Sequence, residues 1–208
     1  MRRPAALPTP SPLPLRASAG VRVPGVSPLH IAGPALARFN DVLHSIHPDA
    51  PHLDAERLAD VTLWLLELSP AQARRELHQR LARLRELRRM ADDVDWDTDR
   101  AQRARLQRLL AYVVEVDDLI PDRTPRLGRL DDALLVELAW PAFADELEDY
   151  LDFCRFRHEQ HPLGAPPLKR SAWVKMRLAE GALWQQMQRV HSASYLHVGP
   201  GERELRVT

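Results

Sequence analysis

Apolar residues recur at every third or fourth position along most of this chain, which is the spacing that gives an α-helix one hydrophobic face. No segment of useful length alternates apolar and polar residues as a half-buried β-strand does. The pattern therefore predicts an all-α protein. After Pro34 the first apolar run contains Leu36, Phe39, Val42, Leu43 and Ile46.

Capping residues place the starts of the next helices. Asp54 is a typical N-cap, and Ser69 followed by Pro70 is a strong signal for a helix start. The helix after Ser69 is predicted to extend to about Met90, and a further helix is predicted over 98–116.

Prolines divide the second half of the chain. A helix is predicted to start at Asp131 or Asp132 and to be kinked or split at Pro141, because a proline ring clashes with the preceding turn. The last helix is predicted over 168–193. Its apolar residues, which we expect to face inward, are Trp173, Met176, Leu183, Met187 and Val190.

Residues 1–29 contain seven prolines and no acidic residue. Since proline lacks a backbone donor and fixes φ, this segment cannot be a helix or a central strand. We expect a disordered arm, either a plain tail or a ligand for a proline-recognising domain. Residues 30–198 are predicted to form a single domain, an irregular bundle of about six or seven helices, with a frayed tail at 199–208.

The composition limits the cell compartments and the classes of partner that fit this chain. The 29 basic and 29 acidic residues balance, whereas a dedicated nucleic-acid binder usually has a basic excess. The single cysteine, Cys154, cannot form an internal disulfide, which favours a reducing compartment. No apolar run approaches the roughly 20 residues that span a bilayer. We therefore expect a soluble, cytoplasmic protein.

The segment 112–135 has the most informative pattern, YVVEVDDLIPDRTPRLGRLDDALL. It predicts a helical hairpin whose connection is a rigid elbow anchored by apolar residues. The residues that would build this elbow are Leu119, Ile120, Pro121, Pro125 and Gly128.

This segment resembles the YkvA-like family, a bacterial helical domain of unknown function. The resemblance is carried by Asp118-Leu119-Ile120-Pro121-Asp122, Pro125, Leu127-Gly128 and Leu130-Asp131-Asp132. It covers about residues 105–145. The resemblance implies a helical hairpin and brings no established reaction with it.

Four acidic residues could converge at the elbow, namely Asp118, Asp122, Asp131 and Asp132. Carboxylates gathered around one point are the ligands that hard divalent cations prefer, so a metal-dependent hydrolase acting on a phosphate-containing substrate is one hypothesis. The simpler interpretation is that each acid caps a helix, turns the chain or pairs with a nearby arginine. We expect no cofactor, with a divalent metal as the alternative.

The helix predicted over 70–90 is rich in arginine. Within it, Arg74, Arg75, Arg85 and Arg89 fall in one quarter of the helical wheel. This stripe could contact a protein partner, an anionic membrane or a nucleic acid.

The leading functional hypothesis is a non-enzymatic, all-α protein–protein interaction module, adaptor or regulatory, with an unknown partner. The metal-dependent hydrolase and the peripheral binder of anionic membrane or nucleic acid are the alternatives. Neither the process nor the oligomeric state follows from the sequence.

Overall fold

The computed structural model describes residues 12–14, 33–115 and 119–195, with side chains up to His191. This described part contains seven α-helices, one short 3-10 helix and no strand, so the all-α prediction is confirmed. In chain order the elements are α1 (Gly33–Ile46), α2 (Ala55–Glu67), α3 (Pro70–Asp92), α4 (Arg100–Val113), α5 (Leu130–Ala139), the 3-10 helix Trp140–Ala142, α6 (Ala144–Gln160) and α7 (Pro166–Tyr195).

The chain divides into two compact units, Met1–Cys154 and Arg155–Thr208. The first unit is built around α5, which packs against α1, α3 and α4. Nine of the ten residues of α5 are buried, because a helix in contact with neighbours on several sides must be apolar nearly all round. Three of those ten positions nevertheless carry acids, at Asp131, Asp132 and Glu137.

Two predicted helix starts are confirmed. Asp54 caps α2 by accepting a hydrogen bond from the Arg57 backbone N–H at 2.8 Å. Ser69 caps α3 in a reciprocal capping box with Gln72, and Pro70 occupies the first turn. These contacts satisfy backbone donors that the first turn of a helix would otherwise leave unpaired.

The predicted break at Pro141 is also confirmed, since α5 ends at Ala139 and a 3-10 turn leads into α6. The predicted start of α5 was wrong in its detail. Its N-cap is Arg129, in the left-handed region at φ 74° and without a side-chain capping bond. Asp131 and Asp132 lie inside the first turn and are buried there. Both carboxylates have partners elsewhere, as described below.

In the second unit, α7 exposes most of its length. Trp173 near its start is buried, but from Arg177 to His191 every side chain is exposed. The prediction that Leu183, Met187 and Val190 face inward was therefore wrong, because they are exposed. Among the described residues, no helix has the length and hydropathy that crossing a bilayer requires.

Candidate functional site

Gly128 closes the elbow by close backbone contact. A Cβ at this position would lie 2.0 Å from the Asp122 carbonyl oxygen, well inside contact distance. The Thr124 carbonyl accepts the backbone N–H groups of both Leu127 and Gly128, at 3.2 and 2.8 Å. Glycine is required here because only a residue without a side chain allows the two backbone segments of the turn to approach so closely.

The rest of the elbow is anchored as the sequence predicts at its apolar end. Leu119 and Ile120 are buried, while Pro121 and Pro125 are exposed. Arg126, at φ 67°, donates from Nη2 to the carbonyl oxygens of Leu66, at 2.8 Å, and Leu68. A guanidinium at the end of α2 compensates the negative pole of that helix and ties the elbow to it.

Asp131 joins the two sides of the elbow. Its side chain is fully buried, and its Oδ2 accepts the backbone N–H of Ile120 at 3.0 Å and the Tyr112 hydroxyl at 3.4 Å. Asp131 therefore connects the end of α4, the apolar anchor and the first turn of α5. This role is structural and involves a backbone amide.

Asp132 is in a different situation. It is buried, and its Oδ2 accepts a hydrogen bond from Nε of Arg129 at 3.1 Å, which confirms that an acid of the elbow pairs with a nearby arginine. Among the described residues, its Oδ1 has no hydrogen-bond partner. Burial is the largest cause that raises the pKa of Asp132, to about 7, and the charges of Asp131 and Asp122 raise it further against the opposing effect of Arg129.

The structure describes three of the four predicted metal ligands. Asp122 is exposed, and its charge raises the pKa of Asp132. Asp131 instead accepts a hydrogen bond from the backbone amide of Ile120. Asp118 lies outside the described residues. Within the described ranges, no group of three or more His, Cys, Asp or Glu side chains is arranged to hold a metal ion. The metal hypothesis stays a prediction.

The predicted arginine stripe is on the surface. Arg74, Arg75, Arg85 and Arg89 are all exposed on α3. Arg89 lies 3.8 Å from a carboxylate oxygen of Glu86, one helical turn away. Exposed pairs of this kind contribute little to stability, so these side chains can engage a polyanion at small cost.

Two further arginines of the same helix are buried. Arg80 is fully buried and forms ion pairs with Glu137 of α5, at 2.9 Å from Nε to Oε2, and with Glu76, at 2.8 Å from Nη1 to Oε2. Arg83 places its guanidinium carbon 4.2 Å from the ring centroid of Trp140, a cation–π arrangement. We call Arg80, Arg83, Glu137 and Trp140 the buried arginine cluster.

Burial and neighbouring charges act in opposite directions on the pKa of Arg83 in this cluster. Burial is the main cause that lowers the pKa of Arg83, the charge of Arg80 lowers it further, and the charge of Glu137 raises it. Glu137 thus faces two cations and neutralises part of their charge. Burying one carboxylate and two guanidinium groups carries a desolvation penalty that their ion pairs do not fully offset. Because stability alone does not explain such a cluster, we treat it as a candidate site.

The cluster also holds a residue of the N-terminal arm. Leu13 is buried, and its backbone N–H donates to Oε1 of Glu137 at 3.2 Å. The two residues are 124 positions apart in the sequence. Residues 12–14 are the described part of the arm, so the expectation of disorder over the remainder of 1–29 falls outside the described residues.

A third candidate lies on α7. Leu183, Trp184 and Met187 are 59%, 48% and 62% exposed. At 3.6 residues per turn their positions span about 100° of the helix circumference. We call these three residues the α7 apolar stripe.

Comparison with protein-family models, curated proteins and solved structures found no match for this chain. The resemblance to the YkvA-like family therefore stays a prediction. It depends on the motif residues between about 105 and 145, of which the structure describes all but 116–118.

The sequence interpretation missed the buried arginine cluster and Trp96. Arg80 lies three residues after Leu77 and four before Leu84, so helical spacing puts it in the middle of the apolar face of α3. That position was a usable signal. Trp96 is buried but stands in an acidic, non-periodic segment, so no pattern indicated its burial.

Proposed function

We propose that this chain is a protein–protein interaction module that binds an amphipathic helix of a partner protein along the α7 apolar stripe. The observation that carries the proposal is the exposure of Leu183, Trp184 and Met187 on a 30-residue helix. Large apolar side chains grouped on one exposed face are typical of interaction surfaces, and tryptophan is enriched among the residues that dominate binding energy.

Helix stability supports the same conclusion. Most helices in water are stabilised by packing of an amphipathic face, not by intrinsic propensity. The part of α7 from Arg177 to His191 has no buried face, and it contains Gly181, which weakens a helix interior by about 1 kcal/mol. A partner that covers the stripe would supply the missing packing.

Charge indicates the kind of partner. Along α7 there are five lysine or arginine residues and one acidic residue, Glu180. Complementary charge at the rim of an interface increases the association rate and selects among partners. The helix that covers the stripe is therefore an acidic one, with apolar residues at helical spacing facing Leu183 and Met187.

Site-specific photo-crosslinking in the native cell tests this proposal. A benzoylphenylalanine replacing Trp184 is expected to crosslink to one protein, through a peptide that is acidic and amphipathic. The matched control places the same group at Gln185, which is exposed and lies on the opposite side of α7 from Met187. That position is expected to give no such crosslink.

The proposal fails if both positions crosslink equally, if position 184 gives no crosslink, or if the captured peptide is basic. Capture of α7 from a second copy belongs to the last case, since α7 is itself basic. The cytoplasmic location is part of the proposal, because it rests on the single thiol, Cys154.

The two alternatives stay predictions with their own tests. A divalent ion bound by Asp122, Asp131 and Asp132 together with Asp118 would raise the melting temperature, because a ligand of the native state stabilises it. A polyanion bound by the exposed arginines of α3 would be released as salt is added.

A further inference from the structure

Residues 12–14 alternate between exposed and buried side chains. Pro12 and Pro14 are exposed, whereas Leu13 between them is only 6% exposed. Alternation of this kind is what an extended segment shows when one side chain faces the protein. The backbone N–H of Leu13 is at the same time bonded to Oε1 of Glu137.

Glu137 also lies beside a buried cation. Its other oxygen is 2.9 Å from Nε of Arg80, whose side chain is 1% exposed and is also paired with Glu76. The carboxylate is therefore paired with a buried cation through Oε2, and its Oε1 accepts the Leu13 N–H. Acceptors that carry charge form the stronger hydrogen bonds of proteins.

The chemistry of the segment matches this acceptor. Neither proline has a backbone N–H, so Leu13 supplies the one backbone donor of residues 12–14. Proline after leucine also biases Leu13 towards extended backbone, which lowers the entropy lost on docking. A leucine between two prolines thus offers one apolar side chain and one donor in a stiff backbone.

We propose that Glu137, paired with Arg80, is the recognition group of a docking site for extended peptide segments with a leucine between two prolines, and that residues 12–14 of this chain are its resident ligand. The site is a feature of the first unit. It does not depend on the α7 apolar stripe, and either proposal can fail alone.

The number of residues between the docked segment and α1 limits the distance between them. Residues 15–32 connect the docked segment to α1, and eighteen residues can span at most about 60 Å. A ligand that is confined to within about 60 Å of its site has an effective concentration of the order of millimolar. Docking of the arm therefore requires the free segment to bind with a dissociation constant below about 1 mM.

The test uses the full chain with Leu13→Asp, which replaces the buried leucine side chain by a charged one and so expels the arm, because an unpaired charge is costly to bury. A synthetic peptide with the sequence of residues 8–18, labelled with nitrogen-15 at its central leucine, is titrated with this chain and with the wild type. The leucine amide proton is expected to move downfield on binding. Binding to the wild type is expected to be about tenfold weaker if the arm is docked nine-tenths of the time.

Two matched peptides isolate the recognition elements. N-methylation of the leucine removes the donor but keeps the side chain, and is expected to weaken binding at least tenfold. Replacement of the leucine by alanine keeps the donor and is expected to weaken binding similarly. If Leu13→Asp lowers the helicity of the chain, the same peptides are compared on the wild type, where competition by the arm affects all three equally.

Absence of any shift up to several times the effective concentration of about 1 mM overturns the proposal. Equal binding of the N-methylated peptide overturns the role of Glu137. The mass of the wild type in solution then assigns the source of the bound segment. If the wild type is a monomer, the bound segment belongs to the same molecule. If it is a dimer that Leu13→Asp dissociates, the segment belongs to a second copy. Both outcomes support the site.

Discussion

The buried carboxyl group of Asp132 couples the stability of the fold to pH. Its pKa is raised from 3.8 to about 7, chiefly by burial. Between these two values the folded protein binds one proton more than the unfolded chain, so this group's contribution to native stability falls as pH rises. The loss is complete once pH has passed the folded-state pKa of about 7.

Asp132→Asn tests this coupling, because asparagine has the same shape and no charge. Relative to the variant, the wild type is expected to lose about 1.4 kcal/mol of unfolding free energy per pH unit between about pH 5 and pH 7. Urea unfolding of both chains at several pH values measures the difference. Parallel stability curves for the two chains would contradict a raised pKa at this position.

Gly128 and Gly181 make a matched pair of glycines. A methyl group at Gly128 would collide with the Asp122 carbonyl, whereas a methyl group at Gly181 meets no atom within 4 Å. Gly128→Ala is expected to cost at least about 2 kcal/mol of unfolding free energy, because the backbone must move apart. Gly181→Ala is expected to stabilise α7 by about 0.5–1 kcal/mol.

Urea unfolding measures the first change and circular dichroism measures the helicity gained by the second. A Gly128→Ala chain as stable as the wild type would show that the elbow is not closed in solution. A loss of helicity in Gly181→Ala would show that α7 needs glycine for contact with another element.

At the scale of elements, α3 and α5 are joined by a buried ion pair as well as by apolar contacts. Arg80 of α3 is 1% exposed and Glu137 of α5 is 14% exposed. Such a pair gives little net stability when both partners are present, but loss of one partner leaves a buried charge without compensation.

Arg80→Met is therefore expected to cost about 3–5 kcal/mol of unfolding free energy. Arg85→Met, at an exposed position of the same helix, is expected to change it by less than about 0.5 kcal/mol. The double variant Arg80→Met with Glu137→Leu is expected to recover only part of the loss, since neither charge of the pair remains but the buried Arg83 loses the carboxylate beside it. Equal effects of the two single variants in urea unfolding would place Arg80 at the surface.

For the whole molecule, the two units use large apolar residues differently. In the first unit Trp96 is buried between Tyr150 and Phe153, at centroid distances of 5.6 and 5.4 Å, and its Nε1 donates to Glu146 at 3.2 Å. In the second unit Trp184 is 48% exposed. One tryptophan packs in the core, and the other is accessible to solvent.

Trp96→Ala is expected to destabilise the first unit by about 3–5 kcal/mol, because a large cavity replaces the ring. Trp184→Ala is expected to change the unfolding free energy of the isolated chain by less than about 0.5 kcal/mol, while it weakens binding of the partner helix. Thermal unfolding of the purified variants checks the comparison. A large loss of stability in Trp184→Ala would mean that the ring is covered in the free protein.

Most of the helices were predictable because their information is local. Ser69 and Pro70 place a start, Pro141 places a break, and the spacing of leucines marks a face, all within one or two turns of chain. The same local signals were misleading at Asp131 and Asp132. These residues look like helix caps in sequence, but their carboxylates are committed to Ile120 and Arg129.

The amino-acid sequence by itself determined the helical class, most element boundaries and the apolar anchor of the elbow, because periodicity, caps and prolines act on neighbouring residues. Only the tertiary structure decided that Arg80 pairs with Glu137, that Leu13 docks there and that the apolar face of α7 stays exposed. Each of these depends on which segments meet across long stretches of chain, and that outcome is set by the packing of the whole fold.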